Sequence, residues 1–200
     1  YAYILDHELK KRVKWQPWQY LLDLLDVLDE FDDIVLFKAR QLGWTWTVSG
    51  WADHKVSFSE AAKGLLLSQG EKEAWDFLGK AKYIIRQLPD YLRLTEKHTD
   101  NRALLDFKST DSLLEALPST DKAGRSTDAS FVLRDELAQH PFGKENFAAI
   151  GPTVDAGSSK LIDLSTIDKM DLENHFTERV NKALMGASRK DLPSGLSVYT

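Results

Sequence analysis

Cysteine is absent from the 200-residue chain, so disulfides, thiolate metal sites and cysteine nucleophiles are all excluded. Long apolar runs are absent too. Apolar runs such as 34–37 and 65–67 fall far short of the ~20 residues that a membrane-spanning helix needs. No charged-then-apolar leader opens the sequence. We therefore expect neither a transmembrane segment nor a secretory signal in these residues.

Basic residues are in the minority, because 26 Lys and Arg stand against 31 Asp and Glu and give a formal net charge of -5. A protein that coats nucleic acid with its whole surface needs an excess of positive charge, so the sequence argues against that class. Two local basic patches remain, and a solvated surface explains such patches more often than a nucleic-acid contact does. They comprise Lys10, Lys11, Arg12 and Lys14, and Lys80, Lys82 and Arg86 of a predicted helix.

Apolar residues make up 42% of the chain, enough for one globular domain with a sizeable core. Short apolar runs that predict buried strands alternate with segments of helical spacing. We predict strands over 34–37, 64–68, 130–134 and 160–164, helices over 17–30, 45–58, 71–88 and 172–184, a hairpin of 103–107 with 113–117, and a surface loop over 118–128. The last helix is predicted to bury Leu172, Phe176, Val180 and Leu184. Because parallel strands need crossover helices, this alternation predicts a three-layer α/β fold with a mostly parallel sheet.

The first candidate site is Lys38-Ala-Arg-Gln-Leu-Gly43-Trp44-Thr45, which follows a predicted strand and opens a helix. A phosphate-binding loop reads G-x-x-x-x-G-K-[ST] in this context, so Gly43 and Thr45 fit while Trp44 replaces the lysine. Lys38 at the start of the loop offers a relocated positive charge. With the N–H groups of the helix N-terminus and a hydroxyl for Mg²⁺, the loop has what a triphosphate needs. Taken alone, the motif favours an ordinary strand-to-helix turn capped by a threonine.

The second candidate is Phe131-Val-Leu-Arg-Asp135-Glu136, which resembles a Walker B strand. Such a strand delivers one carboxylate to Mg²⁺ and the next to polarise the attacking water. Two acids that cap the following helix are an equally good explanation. Arg134 departs from the apolar pattern, and we expect it to point away from Asp135 because successive strand side chains face opposite ways.

The third candidate is the pair Ser165 and Thr166 after the last predicted strand, where polar side chains can sense a terminal phosphate. A simple strand-end turn explains this pair more readily when it is taken alone. All three candidates, however, follow predicted strands in the order of a phosphate loop, a Walker B strand and a sensor. Ligands bind at the carboxyl ends of the strands in such sheets, so the joint pattern predicts a nucleotide site.

Together these residues resemble the ATPase domain of the large terminase subunit, the DNA-packaging motor of tailed phages. The resemblance spans about 15–185 and rests on Trp18-Gln19-Tyr20, on 37–45, and on Arg125, Asp135-Glu136 and Ser165-Thr166. It implies a P-loop NTPase fold of the RecA-like additional-strand type. It also implies one ATPase domain, with a helical lead-in over about 1–32 that contacts adenine, a P-loop core over about 33–185 and the start of a linker over about 186–200. The family usually continues into a nuclease domain, which we expect to be absent, together with its activity, from these residues.

The resemblance also implies a role for each matching residue. Gln19 would contact the adenine, and the triphosphate with its Mg²⁺ would be held by Lys38, Arg40, Gln41, Gly43, Trp44 and Thr45. Asp135 would bind Mg²⁺, and Glu136 would activate water. Ser165 and Thr166 would couple hydrolysis to movement. Arg125 would act as an arginine finger on a neighbouring subunit, with Arg102 and Arg134 as rival candidates.

The function implied is an ATP hydrolase that drives double-stranded DNA into a viral capsid from the host cell cytoplasm. The implied partners are the portal and the small terminase subunit. The protein would form a homo-oligomeric ring when active and a monomer in isolation. Another RecA-like motor, such as a helicase, is the first alternative. A nucleotide-binding assembly module with weakened catalysis is the second, and Trp44 in the place of lysine favours it.

Overall fold

The computed structural model describes residues 2–6, 10–92, 101–124, 128–155, 159–185, 189–192 and 194–199. The strands are β1 (Tyr3–Asp6), β2 (Lys11–Lys14), β3 (Asp33–Phe37), β4 (Lys63–Ser68), β5 (Leu104–Phe107), β6 (Ser112–Pro118), β7 (Phe131–Asp135), β8 (Lys160–Ser165), β9 (Arg189–Asp191) and β10 (Ser197–Tyr199). The helices are α1 (Gln19–Glu30), α2 (Trp44–Phe58), α3 (Glu71–Gln87), α4 (Gly143–Asp155) and α5 (His175–Met185), with a short 3-10 helix at Leu137–Gln139.

The central sheet has six strands in the order β3-β8-β7-β4-β6-β5. Every neighbouring pair is parallel except β5 and β6, which form the predicted antiparallel hairpin. The predicted α/β class and the mostly parallel sheet are therefore confirmed. The order also places β8 between β3 and β7, so the three strands with candidate site residues at their ends lie side by side.

Alternation along the strands divides the buried side chains between the two faces of the sheet. Leu66 and Leu133 pack in one cluster with the buried faces of α1, α2 and α3. Leu65 and Val132, one position earlier on the same strands, pack with Ile150 of α4 instead. Helices therefore cover both faces, which confirms the three-layer architecture.

The structure corrects several sequence-based boundaries. A β-hairpin of β1 and β2 precedes α1, so the lead-in is not wholly helical. Helix α4 was not predicted, because Pro152 and Gly151 interrupt its apolar pattern. Helix α5 begins at His175 rather than at 172, and the prediction that Leu172 and Leu184 are buried is wrong, since they are 60% and 48% exposed. Strands β9 and β10 pair in the segment that we expected to begin a linker.

Arg134 lies on the face of β7 opposite Asp135, as predicted, and is fully buried. Its Nε and Nη2 donate to the two carboxylate oxygens of Asp163 on β8, at 2.6 and 2.7 Å, and its Nη1 donates to the Gly143 carbonyl at 2.9 Å. Arg179 of α5 brings its Nε within 2.6 Å of Asp163 Oδ2. Burial raises the pKa of Asp163, but the charges of Arg134 and Arg179 outweigh it and lower the pKa overall. The network joins β7, β8, α4 and α5.

Candidate functional site

The three candidate motifs meet at one edge of the sheet, because their strands are parallel neighbours. Phe37 at the end of β3 pairs with Ser165 at the end of β8. Asp135 at the end of β7 pairs with Leu164 of β8. The chain leaves β3 at Lys38, whose backbone N–H donates to the Ser165 carbonyl at 3.1 Å. The side chains that follow these strand ends can therefore contact one another.

The loop after β3 folds into a turn that ends at the N-terminus of α2. Gln41 and Gly43 both take the left-handed backbone conformation, with φ of 63° and 75°. Gly43 is the N-cap of α2 and provides no side-chain cap. A glycine suits this position because other residues rarely adopt such a φ. The N–H groups of the first turn of α2 remain available to an anion, which is the environment that a phosphate loop provides.

Lys38 folds over the site from the start of the loop, and its side chain is only 8% exposed. Its Nζ lies 2.8 Å from Glu136 Oε1 and 3.8 Å from Asp135 Oδ1. A charge from the loop after β3 thus meets both acids of the Walker B-like strand. The arrangement brings together two of the three motifs predicted from the sequence.

Thr45 and Asp135 form the part of the site best suited to a cation. Thr45 Oγ1 donates to Asp135 Oδ1 at 3.4 Å rather than capping α2. Burial raises the pKa of Asp135 to about 6, an effect that the charge of Lys38 opposes and that of Glu136 reinforces. A hydroxyl and a buried carboxylate are hard oxygen ligands, and Mg²⁺ is often held by one or two protein oxygens together with substrate phosphates. The residues present therefore fit Mg²⁺ with a nucleotide.

Glu136 has a strained backbone, with φ 54° and ψ 45°, in the left-handed region that non-glycine residues rarely adopt. Strain of this kind costs about 1–3 kcal/mol and clusters at functional sites. Glu136 does not cap the following 3-10 helix with its side chain, contrary to the alternative explanation of the two acids. Its Oε2 instead accepts hydrogen bonds from Ser165 Oγ and from the Thr166 backbone N–H, each at 3.4 Å. The third motif therefore contacts the second.

The other predicted residues of the loop after β3 differ in their exposure to solvent. Arg40 and Gln41 are exposed, and Arg40 lines a cavity of about 630 Å³ together with Lys38 and Thr166. Trp44 is 5% exposed and packs in the core, and its Nε1 has no hydrogen-bond partner among the described residues. Any contact of Trp44 with a phosphate therefore falls to its backbone N–H, at the start of α2.

The residues expected to contact adenine lie at the start of α1. Gln19 is exposed at the start of α1, and its amide donates to Asp23 Oδ1 at 2.8 Å. The adjacent Tyr20 donates from its hydroxyl to the Leu42 carbonyl at 3.1 Å, which fixes the start of α1 beside the loop after β3. Exposed Trp18 lies next to Tyr20, with ring centroids 5.8 Å apart. The segment Trp18-Gln19-Tyr20 is thus adjacent to the loop.

The arginine-finger candidates differ in their placement. Arg125 lies outside the described residues. Arg134 is fully buried and paired with Asp163, so it cannot reach a neighbouring subunit. Arg102 is exposed, and its guanidinium lies 5.6 Å from the centroid of the Trp75 ring. The structure therefore removes one of the two rival candidates.

Sequence reasoning missed several residues around the site. His140 donates from Nε2 to the backbone carbonyl of Asp135 at 2.9 Å, and burial lowers the pKa of its imidazole to about 4. Gln139 donates to Asp168 Oδ2 at 2.9 Å and so joins the segment after Glu136 to the segment after Thr166. Their proximity to Asp135 and Glu136 in the sequence was the available signal. Lys80 of α3 also acts electrostatically on Asp135, although it is far away in the sequence.

Two further kinds of feature are absent from the described part of the chain. No helix there is long and apolar enough to cross a membrane. Within the same ranges, no group of three or more His, Cys, Asp or Glu side chains is arranged to hold a metal ion. A cation at Asp135 and Thr45 would therefore need ligands from a bound substrate or water.

Comparison with known proteins identifies similar folds. No protein-family model matches the sequence, and no curated protein matches it. The large terminase of bacteriophage HK97 is similar over 91% of this chain, with 14% identity and a TM-score of 0.67, and this chain covers 39% of that protein. A mutant of the large terminase ATPase domain of Thermus phage P74-26 is similar over 92% of this chain and 77% of its own length, with 19% identity and a TM-score of 0.66.

The large terminase of the thermophilic bacteriophage D6E is similar over 85% of this chain and 44% of its own length, with 12% identity and a TM-score of 0.64. The chain thus spans less than half of the full-length terminases that it matches. The fold implied by the sequence resemblance is confirmed: this chain has the fold of the ATPase domains of phage large terminases.

Proposed function

We propose that the chain is the ATP-hydrolysing motor domain of a phage terminase large subunit and that it powers the movement of double-stranded DNA into a capsid. The convergence of Lys38 with Asp135 and Glu136 carries this proposal. Lys38 after β3 and the two acids at the end of β7 meet across β8, and a phosphate-binding lysine, a metal-binding acid and a water-orienting acid are the groups that phosphoryl transfer uses. The fold shared with large terminase ATPase domains supports the motor over the other functions.

Each residue of the site has a role in this proposal. Lys38 exchanges its contacts with the acids for the terminal phosphates of ATP, together with the N–H groups at the start of α2. Thr45 and Asp135 hold Mg²⁺, which neutralises charge on the phosphates when bound. Glu136 orients and deprotonates the attacking water, and its contacts with Ser165 and Thr166 relay the state of the site to β8. Arg40, Gln41, Gly43 and Trp44 surround the phosphates, and Gln19 contacts the adenine.

The proposed assembly follows from the same resemblance. The domain acts in a homo-oligomeric ring with Arg125 as the finger that reaches a neighbouring site, and it is a monomer in isolation. Double-stranded DNA, the portal and the small terminase subunit are its partners in the host cell cytoplasm. We expect no nuclease activity in these residues. A helicase is not favoured, because the similar folds are those of large terminases and their ATPase domains. An assembly module is not favoured, since Trp44 has a packing role and Lys38 supplies the missing charge.

The first test is calorimetric titration of a slowly hydrolysed ATP analogue with Mg²⁺ into the parent chain, Lys38→Ala and Lys122→Ala. Lys122 is exposed and serves as the matched control. We expect binding by the parent and the control, and loss of binding in Lys38→Ala. Binding by Lys38→Ala equal to that of the parent would contradict the role of the relocated lysine.

The second test separates the motor functions. A packaging motor hydrolyses ATP in response to duplex DNA and leaves the strands paired. Hydrolysis stimulated by single strands, with unwinding of a fluorescent duplex, would identify a helicase instead. Nucleotide binding with no turnover in the presence of duplex, portal and small subunit would identify an assembly module.

A further inference from the structure

We propose that Lys80 of α3 is a second lysine of the nucleotide site and contacts the terminal phosphate of the bound triphosphate. This inference rests on the proposed function and adds a substrate-binding residue to the same site. The sequence grouped Lys80 with Lys82 and Arg86 as one basic patch. The structure divides that patch, because its members contact different parts of the molecule.

The start of α3 lies at the sheet edge that carries the site. Strand β4 is a parallel neighbour of β7, and Leu67 of β4 pairs with Arg134, next to Asp135. Helix α3 begins at Glu71, three residues after β4 ends at Ser68. Its N-terminal end therefore stands on the same edge as Asp135, on the face that α1 and α2 also cover.

Contacts between α2 and α3 determine the position of the turn of α3 that contains Lys80. The Tyr83 ring meets the Trp46 ring edge-on, with centroids 5.8 Å apart. One turn deeper in α2, a Cβ at Gly50 would stand 3.6 Å from Ile84 Cδ1. The later residue of α3, Ile84, is thus matched with the later residue of α2, Gly50. Residues of α3 that precede Tyr83, such as Lys80, therefore lie level with the first turn of α2, which contains Thr45 and Trp46. Lys80 therefore lies near the end of α2 that faces the site.

The Lys80 side chain extends toward the sheet edge. Its Nζ donates to the Asp76 carbonyl at 3.4 Å, one turn nearer the N-terminus of α3. A neutral acceptor at that distance is a weak partner, which a phosphate oxygen can replace. Burial raises the pKa of Asp135, and the positive charge of Lys80 joins that of Lys38 in opposing the rise. The ammonium is thus electrostatically coupled to the proposed Mg²⁺ ligand.

Lys82 provides a matched control on the same helix. Its Nζ donates to the Asn101 carbonyl, which precedes β5 at the far side of the sheet. Two positions on a helix are separated by about 200° of rotation, so the two lysines point to different sides of α3. Lys80 and Lys82 carry the same charge, but only the Lys80 side chain extends toward the sheet edge that carries Asp135. Substitution of Lys82 therefore controls for the loss of a charge from α3.

The test measures binding of two nucleotides that differ in the terminal phosphate. Mg·ADP and a slowly hydrolysed ATP analogue with Mg²⁺ are titrated by calorimetry into the parent, Lys80→Gln, Lys80→Met, Lys80→Arg and Lys82→Gln. Loss of a charge-assisted contact should weaken the analogue about tenfold in both neutral Lys80 variants. We expect ADP affinity to change less than twofold, Lys80→Arg to retain most of the analogue affinity, and Lys82→Gln to match the parent.

Each alternative outcome overturns the inference. Analogue binding in Lys80→Gln and Lys80→Met equal to that of the parent would show that Lys80 makes no contact with the nucleotide. Equal losses for ADP and the analogue would show a structural or long-range effect instead of a terminal-phosphate contact. A parent that binds neither nucleotide contradicts the proposed function itself, whereas a parent that binds both leaves that function standing whatever the Lys80 variants do.

Discussion

Lys38 Nζ lies 2.8 Å from Glu136 Oε1, although the two residues are 98 positions apart in the sequence. This ion pair joins the candidate phosphate loop to the residue proposed to activate water. Since Lys38 is nearly buried, the contact also neutralises charge at the sheet edge. In the proposed mechanism the pair opens when a triphosphate takes the lysine, which frees Glu136 to orient water. Binding and catalysis would then be linked through one side chain.

Glu136→Gln should abolish hydrolysis while nucleotide binding persists. The amide keeps the size of the side chain but cannot accept a proton, so we expect turnover to fall by about 10²–10⁴. Steady-state phosphate release and calorimetric titration measure the two effects separately. Glu145→Gln, at an exposed position of α4, is the control. Turnover near that of the parent would show that another group activates the water.

Affinity for Mg²⁺ with nucleotide should fall as the pH is lowered through 6. Burial raises the pKa of Asp135 to about 6, so its carboxylate is ionised above that pH and protonated below it. Only the ionised form binds a cation well, and we expect roughly tenfold weaker binding of the analogue at pH 5 than at pH 7. Asp135→Asn should bind weakly at both pH values. A parent affinity that is flat between them would contradict the assignment of Asp135 as a cation ligand.

Asp53 should make the fold less stable as the pH rises. It is 4% exposed on α2, its two carboxylate oxygens lack hydrogen-bond partners within the described ranges, and burial raises its pKa well above the ordinary value. Below the pKa of the unfolded chain both states are protonated. Above it the unfolded state ionises first, so stability declines until the folded state also ionises. Asp53→Asn should remove this decline in urea unfolding between pH 4 and pH 8, whereas Asp26→Asn, at an exposed site, should not.

Arg134→Met should destabilise the domain by about 3–5 kcal/mol, because it leaves Asp163 buried with one fewer partner. Asp163 then keeps only the Arg179 contact of the two ion pairs described. Urea unfolding at neutral pH measures the loss. The double variant Arg134→Met with Asp163→Leu should recover part of it, since both buried charges of the bidentate pair are removed. A cost below 1 kcal/mol for Arg134→Met would show that the network contributes little.

The sequence predicts the strands of the sheet well, because fully buried parallel strands form continuous apolar runs. The strands β3, β4, β7 and β8 begin and end within one residue of the predicted ranges. Helix α4 was not predicted because Pro152 interrupts its helical pattern of apolar residues. The predicted start of α5 was too early because Leu172 fits the helical spacing of apolar residues, although its side chain is exposed to solvent. The strands of the β1–β2 hairpin are too short, and β2 too rich in charged residues, to show a clear alternation of apolar and polar residues.

The clustering of the candidate residues was predictable where they follow a strand or open a helix. Lys38, Thr45 and Asp135-Glu136 stand out because each follows a strand or opens a helix. Lys80, which we propose as a further residue of the site, does not, since helical spacing gives the relative directions of side chains but not which direction faces the sheet edge. The partner of Arg134 was equally hidden, because Asp163 comes from a strand 29 positions away.

Strand β8 sets the width of the site. Adjacent strands lie about 4.8 Å apart, so the backbones that carry Lys38 and Glu136, on either side of β8, are separated by roughly 10 Å. A lysine and a glutamate together span that gap, and shorter side chains would not. Because β8 lies between them, the two residues need long side chains to meet, and a lysine at the start of the loop is long enough to reach Glu136. The proposed relocation of the lysine is compatible with this spacing.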